Sequence, residues 1–232
     1  MATLITDTFP EVTGYPADMP ARWSTPTGRT GLSLHYAYLV SPPGEVSVEA
    51  VVHSAGTGGD GSLPYWGFGY RNDVYPGPNQ WATVDVDLHG SGGVALRMSP
   101  DTGDCYWLML NYGKTNLYLY RIIGGTATII YQLINAYQLD TGSPATITLQ
   151  AFGSTLSMYY GTAWAGVVID SSLPDGRVGT VCAGNSFWHT DAGTGAKLAS
   201  SPFLAGNIEG FDAPTLTSVT NYGYVNTIEW TD

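Results

Sequence analysis

Between residues 92 and 184 the chain alternates apolar and polar residues in short runs, each closed by turn residues and almost free of charge inside. A period of two marks strands that rest one face on a core, because successive Cβ atoms point to opposite sides of a pleated backbone. In residues 146–151, Ile147, Leu149 and Ala151 alternate with Thr146, Thr148 and Gln150. After Phe152-Gly153-Ser154-Thr155, Leu156, Met158 and Tyr160 alternate with Ser157 and Tyr159, which predicts a hairpin. Val94, Leu96 and Met98 alternate with Ala95, Arg97 and Ser99. They close through Ser99-Pro100-Asp101-Thr102-Gly103, where Pro fixes φ and Gly permits a positive one.

Residues 105–112 are apolar on both faces, which predicts a central strand. Residues 117–123 turn at Gly124-Gly125 into 126–131, Asp175-Gly176 introduces 177–182, and 45–53 form a further strand. β-Branched and aromatic residues fill these runs, as pleated surfaces favour. No run has helical spacing, so the expected fold is all-β, with two antiparallel sheets packed face to face.

With 232 residues and 44% hydrophobic content the chain can bury a full core as one domain, expected over residues 1–232. Thirty Gly and 14 Pro suit many turns, and 16 Tyr with 7 Trp argue against disorder. Net charge is −11 with only 8 Lys and Arg, so a nucleic-acid backbone is repelled and is excluded as a partner. Anionic membrane surfaces are disfavoured on the same ground, and no stretch approaches the ~20 apolar residues of a helical span. What remains is neutral polar and aromatic surface, which suits sugars or a protein neighbour. The first seven residues have neither a basic start nor an apolar centre, so the expectation is a chain without a signal peptide, made in a cytoplasm. Cys105 and Cys182 permit one disulfide, but a reducing compartment makes free thiols the expected state.

An irregular entry and two long insertions interrupt the strand pattern. Residues 1–40 form an irregular entry, with Asp7-Thr8-Phe9 opening the first strand and Pro10, Pro16, Pro20 and Pro26 keeping the backbone irregular beyond it. Residues 54–80 and 184–210 are expected to be inserted loops. Loops of that length in a compact domain serve function or interfaces. Their aromatic and polar residues, Tyr65, Trp66, Phe68, Tyr70, Tyr75, Trp188 and His189, are the candidate binding set. Trp107, in a run apolar on both faces, is expected in the core, while Trp66 and Trp188 are expected to display surface.

Several blocks recur in a familiar order. Gly93-Val94-Ala95-Leu96-Arg97-Met98 is followed by Asp104-Cys105-Tyr106-Trp107-Leu108-Met109-Leu110, Leu117-Tyr118-Leu119-Tyr120-Arg121-Ile122 and Gly125-Thr126-Ala127-Thr128-Ile129. Then come Thr146-Ile147-Thr148-Leu149, Gly153-Ser154-Thr155-Leu156-Ser157-Met158-Tyr159 and Ser172-Leu173-Pro174-Asp175-Gly176-Arg177-Val178-Gly179. This order resembles the laminin-G-like, concanavalin A-like jelly roll over roughly residues 84–183, with Asp7-Thr8-Phe9 and Phe211-Asp212 resembling its opening and closing strands. The resemblance implies a jelly-roll β-sandwich, a fold that hosts lectins, glucanases, adhesion modules and virion proteins. It further implies a possible structural Ca²⁺ near the first and last strands, with Asp7 and Asp212 as hard oxygen ligands.

Catalysis can be tested on residues. Glucanases of this fold carry two Glu flanking an Asp on one strand, and Glu45-Val46-Ser47-Val48-Glu49 has similar outer spacing with Ser47 in the central place. Positions i and i+4 on a strand lie ~13 Å apart along the backbone, whereas a retaining pair needs ~5 Å. Solvent-facing charges on an amphipathic strand explain these residues, and no enzyme is expected. Gly56-Thr57-Gly58-Gly59-Asp60-Gly61 has dinucleotide-loop spacing but opens no helix. His35, His53, His89 and His189 are scattered without zinc-site pairing. Trp188-His189-Thr190-Asp191 is expected to be a surface cluster on an inserted loop.

Two functions of different class fit. One is a structural or display module of a bacteriophage virion (capsid decoration, head fibre or tail-associated), homo-oligomeric and, by resemblance, trimeric. It would be made in the host cytoplasm and contact other virion proteins and host polysaccharide. The other is a carbohydrate-binding module of a secreted protein that stacks loop aromatics on sugar faces.

Overall fold

The computed structural model describes residues 4–7, 17–18, 21–40, 46–54, 66–86, 91–111, 116–136, 145–183, 188–191, 203–208, 215–222 and 225–231. Its regular elements are all strands. The first seven are β1 (Leu4–Asp7), β2 (Ala17–Asp18), β3 (Trp23–Ser24), β4 (Leu32–Val40), β5 (Val46–Ser54), β6 (Gly67–Arg71) and β7 (Gln80–Val86). Next come β8 (Ser91–Met98), β9 (Cys105–Leu110), β10 (Asn116–Ile123), β11 (Thr126–Ile134), β12 (Ala145–Phe152) and β13 (Thr155–Tyr160). The last are β14 (Ala163–Ile169), β15 (Arg177–Ala183), β16 (Trp188–Asp191), β17 (Phe203–Asn207), β18 (Thr215–Tyr222) and β19 (Val225–Thr231).

Pairing is antiparallel throughout the ladders. The larger sheet runs β14-β13-β12-β7-β16-β5-β4-β2, with β17 also beside β7 and β1 beside β17. The smaller runs β11-β10-β9-β8-β15-β6-β3, and β18 pairs with β19 alone. The expected all-β architecture of two packed antiparallel sheets is what the chain adopts.

The core follows from the alternation. Ile147, Leu149 and Ala151 of β12 and Leu156, Met158 and Tyr160 of β13 are fully buried, and pack with Ala82, Val84 and Val86 of β7 against Val94, Leu96 and Leu108 of the smaller sheet. Each such large apolar side chain contributes about 1.5–3 kcal/mol on burial. All six residues of β9 are buried because the strand serves two cores. Tyr106, Leu108 and Leu110 enter the space between the sheets. Cys105, Trp107 and Met109 lie on the far side of the smaller sheet with Trp66, Phe68, Ala95 and Val181. Cys105 and Cys182 form no disulfide: they sit in different cores on strands separated by β8 and stay as buried thiols, with burial pushing the Cys105 thiol up.

Three segment expectations need correction. The irregular entry 1–40 contains β4, paired with β5 from Leu32↔Ser54 to Val40↔Val46. Leu32, Leu34, Tyr36, Tyr38 and Val40 share one phase of the alternation, and no proline follows Pro26 in that stretch. The segment 54–80 contains β6, which pairs with β15. The segment 184–210 contains β16, inserted between β7 and β5, and β17, which joins β7 to β1. The strands β6, β16 and β17 have only four or five residues, and β6 and β17 carry glycine, which hides a period of two. Asp7 ends the first strand opposite Phe203; Thr8, Phe9, Phe211 and Asp212 lie outside the described residues.

A buried cation organises one end of the sandwich. Arg97 sits at the end of β8 with φ 55°, a left-handed conformation uncommon for a side-chain-bearing residue. Its guanidinium donates to the carbonyls of Pro78, Gly153 and Leu173, and its amide donates to Gln80 Oε1 at 2.8 Å. Gln80, also buried, donates to Gly77 and Gly176. A Cβ on Gly176 would collide with the Arg97 carbonyl, so glycine is required where that backbone passes. A second knot joins the sheets: Asp170 accepts from Tyr106 at 2.6 Å, from Arg121 at 2.8 Å and from the Ser172 amide at 2.8 Å.

Candidate functional site

Sheet pairing places the polar phase of five strands on the outer face of the larger sheet. With Ala82, Val84, Ile147, Leu149, Leu156 and Met158 pointing into the core, their neighbours Trp81, Thr83, Thr148, Gln150, Ser157 and Tyr159 point outward. The register aligns them in two rows. One runs Trp164–Tyr159–Thr148–Thr83–Leu204, and the other Val167–Ser157–Gln150–Trp81–Gly206.

Trp164 stands at the sheet edge, 61% exposed, while Trp81 and Tyr159 are half-buried in the face. Trp81 and Trp164 are three strands and two residues apart, about 16 Å by strand spacing and rise. Between them lie hydroxyls and an amide. Thr148 donates to Thr83 Oγ1 at 2.7 Å, and Thr83 donates onward to the Ile147 carbonyl at 3.0 Å. That chain spends the threonine protons inside the protein and presents the Thr148 oxygen as an acceptor, while Gln150 supplies both donor and acceptor. None of these positions is a carboxylic acid, amine or imidazole. The two rows can grip a ligand by stacking and hydrogen bonding, and neither holds a group that would move a proton near neutral pH.

The candidate binding set scatters. Trp66 is 7% exposed and Phe68 fully buried; both belong to the core on the far side of the smaller sheet, so neither is a surface anchor. Tyr70 is half-buried against the same cluster. Tyr75 is exposed but engaged: its hydroxyl donates to Asp175 at 3.1 Å and its ring lies under Arg177, 5.4 Å from the guanidinium carbon. Burial, then Asp175, raises the Tyr75 pKa, so the phenol stays neutral. Tyr65 lies outside the described residues. Trp188 and His189 are strand residues of β16, opposite Val52 and Val51 of β5, and do not sit on a loop tip.

Of the metal candidates, Asp7 pairs through its backbone with Phe203, and Asp212 is outside the described residues. Among the described residues no three His, Cys, Asp or Glu converge. Glu49 lies on β5 opposite Asp191 and Ala37; Glu45 is outside the described residues.

The aromatic residues of the outer face are legible in the sequence by one signal. Trp81 shares its phase with Thr83, and Tyr159 shares its phase with Ser157: each is an aromatic in the polar phase of an alternating strand. An aromatic in that phase points away from the core between the sheets.

No protein-family model matches the chain, and no curated protein matches it in sequence. Solved structures to which it is similar include a carbohydrate-binding module, CBM66, from Bacillus subtilis, at 13% identity over 71% of this chain and 94% of that one, TM-score 0.44. A cellulose-induced protein, Cip1, shares 15% identity over 81% of this chain and 94% of its own, TM-score 0.43. An endo-β-galactosidase from Clostridium perfringens that releases GlcNAcα1-4Gal shares 14% identity over 100% of this chain and 71% of its own, TM-score 0.40.

Proposed function

We propose that the chain is a non-catalytic module that binds a neutral glycan across the outer face of the larger sheet. The observation that supports this reading is the pair of uncharged rows across that face, with Tyr159 and Trp164 at one side, Trp81 at the other, and Thr148 and Gln150 between. Indole and phenol rings present broad apolar faces with a negative quadrupole to the C–H groups of a pyranose, and neighbouring hydroxyl and amide groups fix its orientation. The separation of the two tryptophans suits an oligosaccharide lying across the strands.

Ligand charge follows from the chain's own. At −11 the protein repels polyanionic polysaccharides, and the two rows have no cation to offset that field. Glycosidic cleavage needs two carboxyl groups about 5–9.5 Å apart on either side of the bond, and the two rows of face residues include none. The test is binding to a panel of neutral and anionic oligosaccharides, followed by tryptophan fluorescence with neutral hits. Neutral oligosaccharides that bind intact and perturb the fluorescence are the expected result. Selective binding of anionic glycans, or release of reducing ends, would overturn the reading.

A further inference from the structure

The two sheets end unequally. On one side the border strands are the two-residue β2 and β3; on the other they are β11, of nine residues, and β14, of seven. Natural sheets blunt open edges with short strands, charged residues or proline. The β2 and β3 side obeys this rule. Thr126–Ile134 and Ala163–Ile169 contain no charged residue and no proline.

The same border carries most of the large apolar side chains that are exposed among the described residues, including Ile134 at 54% and Ile169 at 70%, together with Ile129, Trp164 and Val167. The two strands meet there, where the Tyr131 hydroxyl donates to the Ala165 carbonyl. The backbone of β14 is also open. The Asp170 amide donates to Ser154 across the hairpin, at 2.8 Å. By the alternation of an antiparallel strand, Val168 then faces β13 while the N–H and C=O groups of Val167 and Ile169 face off the sheet.

The geometry points to a homodimer in which β14 pairs antiparallel with β14 of a second copy. With the two-fold axis at Val168, Val167 exchanges both backbone hydrogen bonds with Ile169 of the second copy, and the reverse pair does the same. Edge-strand addition between identical segments closes on itself in this way, so assembly stops at two. The register suits a second copy of the same strand, because the outward-facing backbone groups of Val167 and Ile169 lie symmetrically about Val168. Two chains of −11 repel over most of their surface, and this border is where they meet without bringing like charges together. The paired outer faces then form one continuous surface, and a long glycan can engage both protomers.

Sedimentation equilibrium of the full chain across a salt series tests this, with Val167→Lys and Ile169→Lys as variants. Both side chains are exposed, so each variant keeps the parent melting temperature. A dimer that tightens as salt screens the repulsion, and that either lysine weakens by about tenfold or more, is the expected result. A monomer at every salt concentration, a trimer, or a dimer indifferent to both lysines would overturn the inference. So would a monomer whose β14 amides gain exchange protection only with glycan, since the edge would then serve the ligand.

Discussion

The ring of Trp66 packs edge-on against Trp107 with centroids 4.7 Å apart, and Tyr120 stacks on the other tryptophan at 5.3 Å. This cluster gives the smaller sheet a second core on its far side, with Phe68, Ala95, Met109 and Val181 beneath it. Trp107 is fully buried with its indole N–H lacking an acceptor, so packing holds it there.

Trp66→Ala and Trp107→Ala are each expected to lower unfolding free energy by about 3–5 kcal/mol, through lost transfer energy and the cavity left behind. Urea denaturation measures both. Because the rings touch, the double variant costs less than the sum of the single ones.

Replacement of Arg97 by Lys or Met is expected to cost about 2–4 kcal/mol. Either change leaves buried carbonyls among Pro78, Gly153 and Leu173 without their donor, and an ammonium lacks the planar fork that reaches all three. Chemical denaturation checks the size. Increased amide exchange in the hairpin turn at Gly153 checks the location.

Acid stability reports the Asp170 knot. Burial alone would raise the Asp170 pKa, but hydrogen bonds from Tyr106, Ser172 and Arg121 outweigh it and hold the carboxyl at about 2, below its ordinary 3.8. A depressed folded pKa means the unfolded chain binds more protons in that window. The stabilisation is therefore complete above pH 3.8 and disappears as pH falls through about 2. The parent should lose about 2 kcal/mol more than Asp170→Asn between neutral pH and pH 2. Asp73, also lowered by its hydrogen bond from Arg71, is present in both proteins and cancels in the comparison. Parallel acid slopes for the two proteins would contradict the knot.

Where strands are long and cleanly alternating, the chain announces its structure. Residues 146–160 predict β12, β13 and their turn almost to the residue, and 105–112 predict the two-faced β9. Legibility fails where strands are brief: β6 reads Gly-Phe-Gly-Tyr-Arg and β17 reads Phe-Leu-Ala-Gly-Asn, sequences whose glycines mimic loop composition. That failure displaces the expected site. Trp66 and Phe68 resemble display residues because the short strand beside them is invisible in the sequence, and the expectation that aromatics of this segment stack on sugar faces draws on them, whereas both serve packing. The outer face is hard to see because phase, and not neighbourhood, distinguishes Trp81 from Trp107. Pairing across three strands, which brings Trp81, Gln150 and Tyr159 together, has no local signature at all.

The most direct test is calorimetric titration of a neutral oligosaccharide into the parent, Trp164→Ala and Gln150→Ala, with melting temperatures measured alongside. Trp164 is exposed and Gln150 points away from the core, so both variants should melt with the parent, within about 0.5 kcal/mol in stability. Affinity should fall by about tenfold or more in each, as when a stacking anchor or a positioning amide is removed. Unchanged affinity in both variants, with folding intact, would show that the outer face of the larger sheet does not hold the glycan.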